Sequence, residues 1–168
     1  MNFSKLKQKD KPYDELRREL SRWYLGESGQ QLLALAKPRL EQQLSNLFGY
    51  HLVQVGSLEQ AELHNGSRVN CRTVLDSSID QILHDVHAIS CEVDQLSIAT
   101  DSVDVVILPH TLEIQLNAHQ IVREVDRILM PEGRVLIMGF NPYSLWGLTM
   151  WLRKIIGRLP WHGRFLSP

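Results

Sequence analysis

The sequence is poor in the residues that staple, anchor or strongly charge a protein. Its two cysteines, Cys71 and Cys91, have no C-x-x-C partner and no histidine at metal-ligand spacing. That excludes a disulfide framework and a zinc module, so no metal is expected and both thiols read as buried and reduced. Neither sign of charge dominates: 18 Lys and Arg face 19 Asp and Glu, a net charge of -1. A nucleic-acid groove, which shows a basic surplus, is therefore not expected. No apolar run reaches the roughly 20 residues needed to span a bilayer. The longest, around Leu145 to Ile156, is broken by Arg153 and Lys154. Met1 to Lys11 is polar and lysine-rich without the apolar stretch of a secretory leader, so the expected compartment is the cytoplasm.

What is present is ordinary globular composition, 43% hydrophobic and 22% charged over 168 residues, enough for one domain with its own core. Leu16, Leu20, Trp23 and Tyr24 recur at helical spacing and predict a first helix ended by Leu25-Gly26. The aromatic pair reads as core, or as a cover over a ligand pocket. Leu32, Leu33, Ala36, Leu40, Leu44 and Leu47 predict a second helical segment, with Pro38 expected to kink or split it. Residues 1–50 thus form an N-terminal helical segment packing on a core of residues 51–168.

From His51 the period changes to that of strands. His51 to Gly56, Cys71 to Leu75, Val86 to Cys91 and Val103 to Leu108 read as strands one to four, and Arg134 to Phe140 as strand five. The fourth is nearly all apolar and β-branched, as a strand covered on both faces should be. A short helix to about His84 follows the second strand. After the fourth, Asn117 is expected to cap a helix with Ile121, Val122, Val125, Ile128 and Leu129 on one side. Met130-Pro131-Glu132-Gly133 suits a type I turn, and Ser144 caps a last helix to about Ile156. Strands alternating with helices predict an α/β fold, Rossmann-like and doubly wound, with a mostly parallel sheet in the order 3-2-1-4-5.

Ligands of such sheets bind beyond the carboxyl ends of the strands, which directs attention to Gly56, Asp76, Glu92 with Asp94, His110 and Asn141. Asp76 lies twenty positions after Gly56, the spacing at which a carboxylate reaches ribose hydroxyls; it also suits a helix cap. Histidine is the side chain suited to proton transfer near neutral pH, and His110 reads either as a catalytic base oriented by Glu113 or as a structural hydrogen-bonding residue. Asn141-Pro142-Tyr143 reads as a turn.

Several pieces in order carry a resemblance. Glu92-Val93-Asp94-Gln95-Leu96, Ser102-Val103-Asp104-Val105-Val106, Arg123-Glu124-Val125-Asp126-Arg127-Ile128-Leu129 and Met130-Pro131-Glu132-Gly133 are similar to the core of class I S-adenosylmethionine-dependent methyltransferases of the type 11 domain family. Leu108 to Glu113 and Gly139 to Gly147 resemble a proteobacterial branch of it. The resemblance implies S-adenosylmethionine as cofactor and a small-molecule methyl acceptor. It places the cofactor's methionine end at Gly56 and Ser57, its ribose at Asp76 and its adenine side at Glu92 and Val93, with His110 beside it.

The sequence departs from the family at the first loop. Gln54 stands where the family has an acid, and Leu58 and Gln60 replace two glycines whose lack of Cβ admits a ligand. Three functions follow: methyl transfer, a non-catalytic relative with weak or no cofactor binding, or a nicotinamide-dependent oxidoreductase. The last lacks its G-x-G-x-x-G. The family's last two strands are also missing, and Ser167-Pro168 reads as the start of a further helix. Strand five is therefore expected as an exposed edge open to self-association, in a domain incomplete at its C-terminus.

Overall fold

A computed structural model describes residues 3–56, 63–77, 79 and 86–140, with side chains from Tyr13 onward. Two helices, α1 (Phe3–Leu25) and α2 (Glu27–Ser45), precede strands β1 (His51–Val55), β2 (Cys71–Asp76), β3 (His87–Ser90) and β4 (Val103–Pro109). A single-turn helix α3 (Thr111–Ile114), then α4 (Ala118–Ile128) and β5 (Leu129–Met138), complete the described chain. The expected helix to His84, the segment after Phe140 and the loop 57–62, with Ser57, Leu58 and Gln60, lie outside the described residues.

The sheet has the order β3-β2-β1-β4-β5, and all four ladders are parallel. This is the Rossmann-like arrangement read from the sequence. Its physical origin is clearest in β4, where Val103, Val105, Val106, Ile107 and Leu108 are all buried, because both faces of a central parallel strand are covered. Asp104 breaks the run but is used: its Oδ2 accepts the backbone N–H groups of Tyr50 (2.9 Å) and His51 (3.0 Å), fixing where β1 begins. β1 lies between β2 and β4, so the chain winds outward in both directions from the β1/β4 boundary. A crevice is expected at that switch point.

Both N-terminal helices contribute to the same core as the strands: Leu20, Tyr24, Leu33, Leu40 and Leu44 cluster with Leu52, Val53, Val106 and Ile107. α2 runs unbroken through Pro38, with Leu33 and Leu40 buried on either side of it. Burial of both flanks outweighs the hydrogen bond that the proline cannot donate. The turn at Met130–Gly133 is a bulge within a ladder. Leu129 pairs with Val103 and Arg134 with Val105, so the four residues between them are looped out opposite Asp104.

Three smaller expectations are corrected. Val122 is 48% exposed, because it falls beside the Ile121–Val125–Ile128 stripe. Asn117 occupies the N-cap of α4 but its side chain makes no capping bond; its carbonyl accepts the N–H of Gln120 instead. Cys71 is exposed at the rim where β2 begins, while Cys91 is half-buried and its thiol is pushed up by burial. No disulfide links them.

Glu124 and Arg127, one turn apart on α4, have a structural purpose. Arg127 pairs with Glu124 at 2.8 Å and donates to the carbonyls of Leu96 (2.9 Å) and Ile98 (2.9 Å). Glu124 accepts the N–H of Leu96, and the Arg127 hydrogen bonds hold its carboxyl below the usual carboxylate range. The β3–β4 connection is thereby fastened to α4.

Candidate active site

The carboxyl ends of β1, β2 and β3 finish level with one another. Gly56 N donates to Leu75 O at 2.7 Å, and Cys91 N to Asp76 O at 2.9 Å. Register therefore places Gly56, Asp76 and the Glu92 turn along one edge, as the sequence predicted. β4 joins them through Thr111, whose hydroxyl donates to Val55 O at 2.5 Å. Gly56 adopts φ +86, which favours glycine. A Cβ there would lie 2.6 Å from Thr111 Oγ1 and 3.3 Å from the Tyr13 hydroxyl.

Asp76 is fully buried, and α1 buries it. Arg17 Nη1 lies 3.4 Å from Asp76 Oδ2, with the two side chains 1% and 0% exposed. Tyr13 donates its hydroxyl to Asp76 Oδ1 at 3.3 Å, and Ser77 N donates to the same oxygen at 2.8 Å. Ser77 Oγ in turn reaches Asp14 Oδ1 at 2.7 Å. Burial first, then the Asp76 carboxylate, raises the Tyr13 phenol well above its ordinary value, so it stays a donor.

A second polar cluster sits at the end of β4. His110 has φ +58, and its Nδ1 meets Glu113 Oε2 at 2.5 Å, so Glu113 orients it as the sequence suggested. Its Nε2 meets the Tyr24 hydroxyl at 2.6 Å. Burial, then Glu113, raises the Tyr24 phenol, which keeps its proton; which partner donates in each of the two imidazole hydrogen bonds follows the tautomer of His110. Glu113 Oε1 accepts Phe140 N at 2.6 Å, and the Phe140 ring stacks on His110 at 4.2 Å. Both imidazole nitrogens are thus engaged.

Tyr13, Arg17, Leu20 and Tyr24 form the buried face of α1. Sequence reasoning found its apolar members but missed Tyr13 and Arg17. The usable signal was an arginine and a tyrosine on the stripe at i, i+4, i+7 and i+11. Glu92 stands one strand further out and is half-buried, while Val93 is wholly core. Beyond it, an open hollow of about 600 Å³ is lined by Asp94, Gln95, Asn117, His119 and Arg123. Gln54 is buried; its Nε2 donates to Gly56 O at 3.0 Å, and its Oε1 has no hydrogen-bond partner among the described residues. Among the described residues no cluster of metal ligands occurs, and no helix is long and apolar enough to cross a membrane.

A sequence profile for the methyltransferase domain matches residues 26–137. The chain belongs to the methyltransferase domain family. The chain is also 30% identical, over 139 residues, to the uncharacterized protein YafS of Escherichia coli K12. The match covers 79% of this chain and 55% of YafS, so the chain spans little more than half of that relative. The fold is shared with an S-adenosylmethionine-dependent methyltransferase from Thermotoga maritima (TM-score 0.64, 16% identity, 94% of this chain and 74% of that one). It is shared too with the methyltransferase CalH, solved in complex with S-adenosylhomocysteine (TM-score 0.51, 14% identity, 77% of this chain and 43% of that one).

The residues at the strand ends fit such a cofactor in chemical type. Asp76 and Glu92 supply carboxylates that accept hydroxyl or amine hydrogen bonds, and Gln54 Oε1 is a buried acceptor with no donor among the described residues. The Asp76 carboxylate is nevertheless covered by α1 as the chain stands.

Proposed function

We propose that this methyltransferase-family chain binds S-adenosylmethionine along the ends of β1, β2 and β3 and transfers its methyl group to a small molecule. The observation that carries the reading is a fully buried carboxylate, Asp76, at the end of β2 beside the left-handed Gly56. Asp76 would hold the ribose, Glu92 and Val93 the adenine side, and Gly56, Ser57 and Gln54 the methionine end. When bound, the cofactor supplies an electrophilic methyl on sulfur, and little acid–base chemistry is then required of the protein beyond positioning. Removal of a proton from the acceptor by His110 requires that Tyr24 first release Nε2. With Tyr24 in place, His110 is a positioning residue that ties α1 to the strand ends.

Calorimetric titration with S-adenosylhomocysteine, S-adenosylmethionine and NAD separates the readings. The first two bind and NAD does not, and Asp76→Ala and Glu92→Ala each weaken binding by about 1 kcal/mol or more. Unchanged affinity in both variants refutes the assigned residues. Failure of the parent chain to bind either sulfur compound supports the non-catalytic reading.

A further inference from the structure

The residues assigned to the cofactor and the imidazole assigned to the acceptor are closed by one face of one helix. Tyr13 and Arg17 cover Asp76, and about two turns after Arg17, Tyr24 covers His110 Nε2. Asp14 adds a third tie through Ser77. These contacts of Tyr13, Asp14, Arg17 and Tyr24 with the strand ends are ones that a ribose hydroxyl or a proton donor would have to replace.

We infer that α1 is a gate: adenosine reaches Asp76 only when the Tyr13–Arg17 contact lifts, and the same movement uncovers His110. The inference rests on the proposed cofactor site and adds to it a coupling between cofactor entry and release of the imidazole. Its energetic logic is that of a closed state competing with ligand. Apparent affinity falls by the fraction of molecules already open, so weakening the closed state tightens binding, and locking it abolishes binding. Arg17 is well suited to such a latch. A guanidinium and a carboxylate, both removed from water, hold while they face each other, but either needs a new partner when they separate. The hydroxyls of a ribose give Asp76 such a partner, and solvent gives one to Arg17.

Two sets of substitutions test the gate. Asp14→Cys with Ser77→Cys, in a background with Cys71→Ser and Cys91→Ser, replaces a 2.7 Å side-chain contact by a disulfide that fastens α1 over β2. Tyr13→Phe with Arg17→Met removes the latch, with circular dichroism to verify folding. S-adenosylhomocysteine is titrated calorimetrically into each. The oxidised cross-linked protein is expected to lose binding that reduction restores, and the latch-free protein to bind on the order of tenfold more tightly than the parent. Should the latch-free protein fail to fold, the cross-link decides, and the converse holds if the cross-link does not form. Equal binding in oxidised and reduced forms overturns the gate while leaving the cofactor site standing. Weaker binding by the latch-free protein does the same, because Arg17 and Tyr13 would then be ligand contacts. Absence of binding in the parent, reduced and latch-free proteins alike overturns both the gate and the cofactor reading.

Discussion

Gly56→Ala probes the point where three elements crowd together. Two separate costs arise. The backbone sits at φ +86, where an L-residue pays about 1–2 kcal/mol. The new Cβ also lies 2.6 Å from Thr111 Oγ1, well inside van der Waals separation. Thr111 cannot readily turn away, since that oxygen is held on Val55 O at 2.5 Å and the residue is fully buried. Overpacking of this kind costs about 1–3 kcal/mol. The substitution should therefore destabilise the chain by about 2–5 kcal/mol in urea denaturation at neutral pH. In a Thr111→Ala background the steric part disappears and only the backbone part remains. The double-mutant cycle should accordingly show a coupling of about 1–3 kcal/mol, the double variant being more stable than the single effects sum to. Simple additivity would refute the contact, and a Gly56→Ala cost under about 0.5 kcal/mol would refute the backbone argument too.

Three further outcomes are expected. Tyr13 and Tyr24 titrate above their ordinary 10.0 in the folded chain, so the stability they contribute is intact below pH 10 and lost as pH rises toward the folded values. Unfolding free energy should fall by up to about 1.4 kcal/mol per pH unit for each, and Tyr24→Phe should show a shallower fall; identical slopes would sink the assignment. Arg127→Ala should cost about 1–2 kcal/mol, given partial exposure of its pair with Glu124, and open the 95–101 connection to limited proteolysis, which an unaltered digest would contradict. Gln54→Glu places a carboxyl in a buried site, raising its pKa above the roughly 4.3 of an unfolded Glu. Its stability contribution is then retained at pH 4 and lost as pH rises through the folded value. At pH 8, S-adenosylhomocysteine should stabilise this variant more than the parent if the ligand's ammonium sits beside residue 54; equal stabilisation excludes that placement.

The sheet was legible because its signal is local. β4 announces itself by a nearly continuous apolar, β-branched run, and the order of strands follows once helices intervene between parallel neighbours. His110 and Glu113 were legible as a pair because three residues separate them on one turn. The face of α1 was not. Counting apolar residues returned Leu16, Leu20, Trp23 and Tyr24, whereas the face that is buried runs through Tyr13 and Arg17. Arginine is normally a marker of the solvent side, and Arg17 is buried here because Asp76 supplies an opposite charge from a distant strand. No window of sequence around α1 contains that fact. Pro38 misled for the same reason, since the helix is held by tertiary burial of leucines on both sides of it.

Gly56 deserves a different weight from the one its motif gives it. In the family's loop a glycine is understood as leaving room for a ligand. Here the atoms that crowd it are the protein's own Thr111 and Tyr13 hydroxyl oxygens. The fold would require glycine at this position whether or not any nucleoside ever bound. Its retention therefore separates neither methyl transfer from a non-catalytic relative nor either from a bare scaffold. Asp76 carries more information. Burying a carboxylate with an arginine is costly where an apolar pair would serve as well or better, so the pair is a poor device for stability alone. The burial of this carboxylate at the end of β2, under α1, therefore supports the proposed ribose contact over a purely stabilising role.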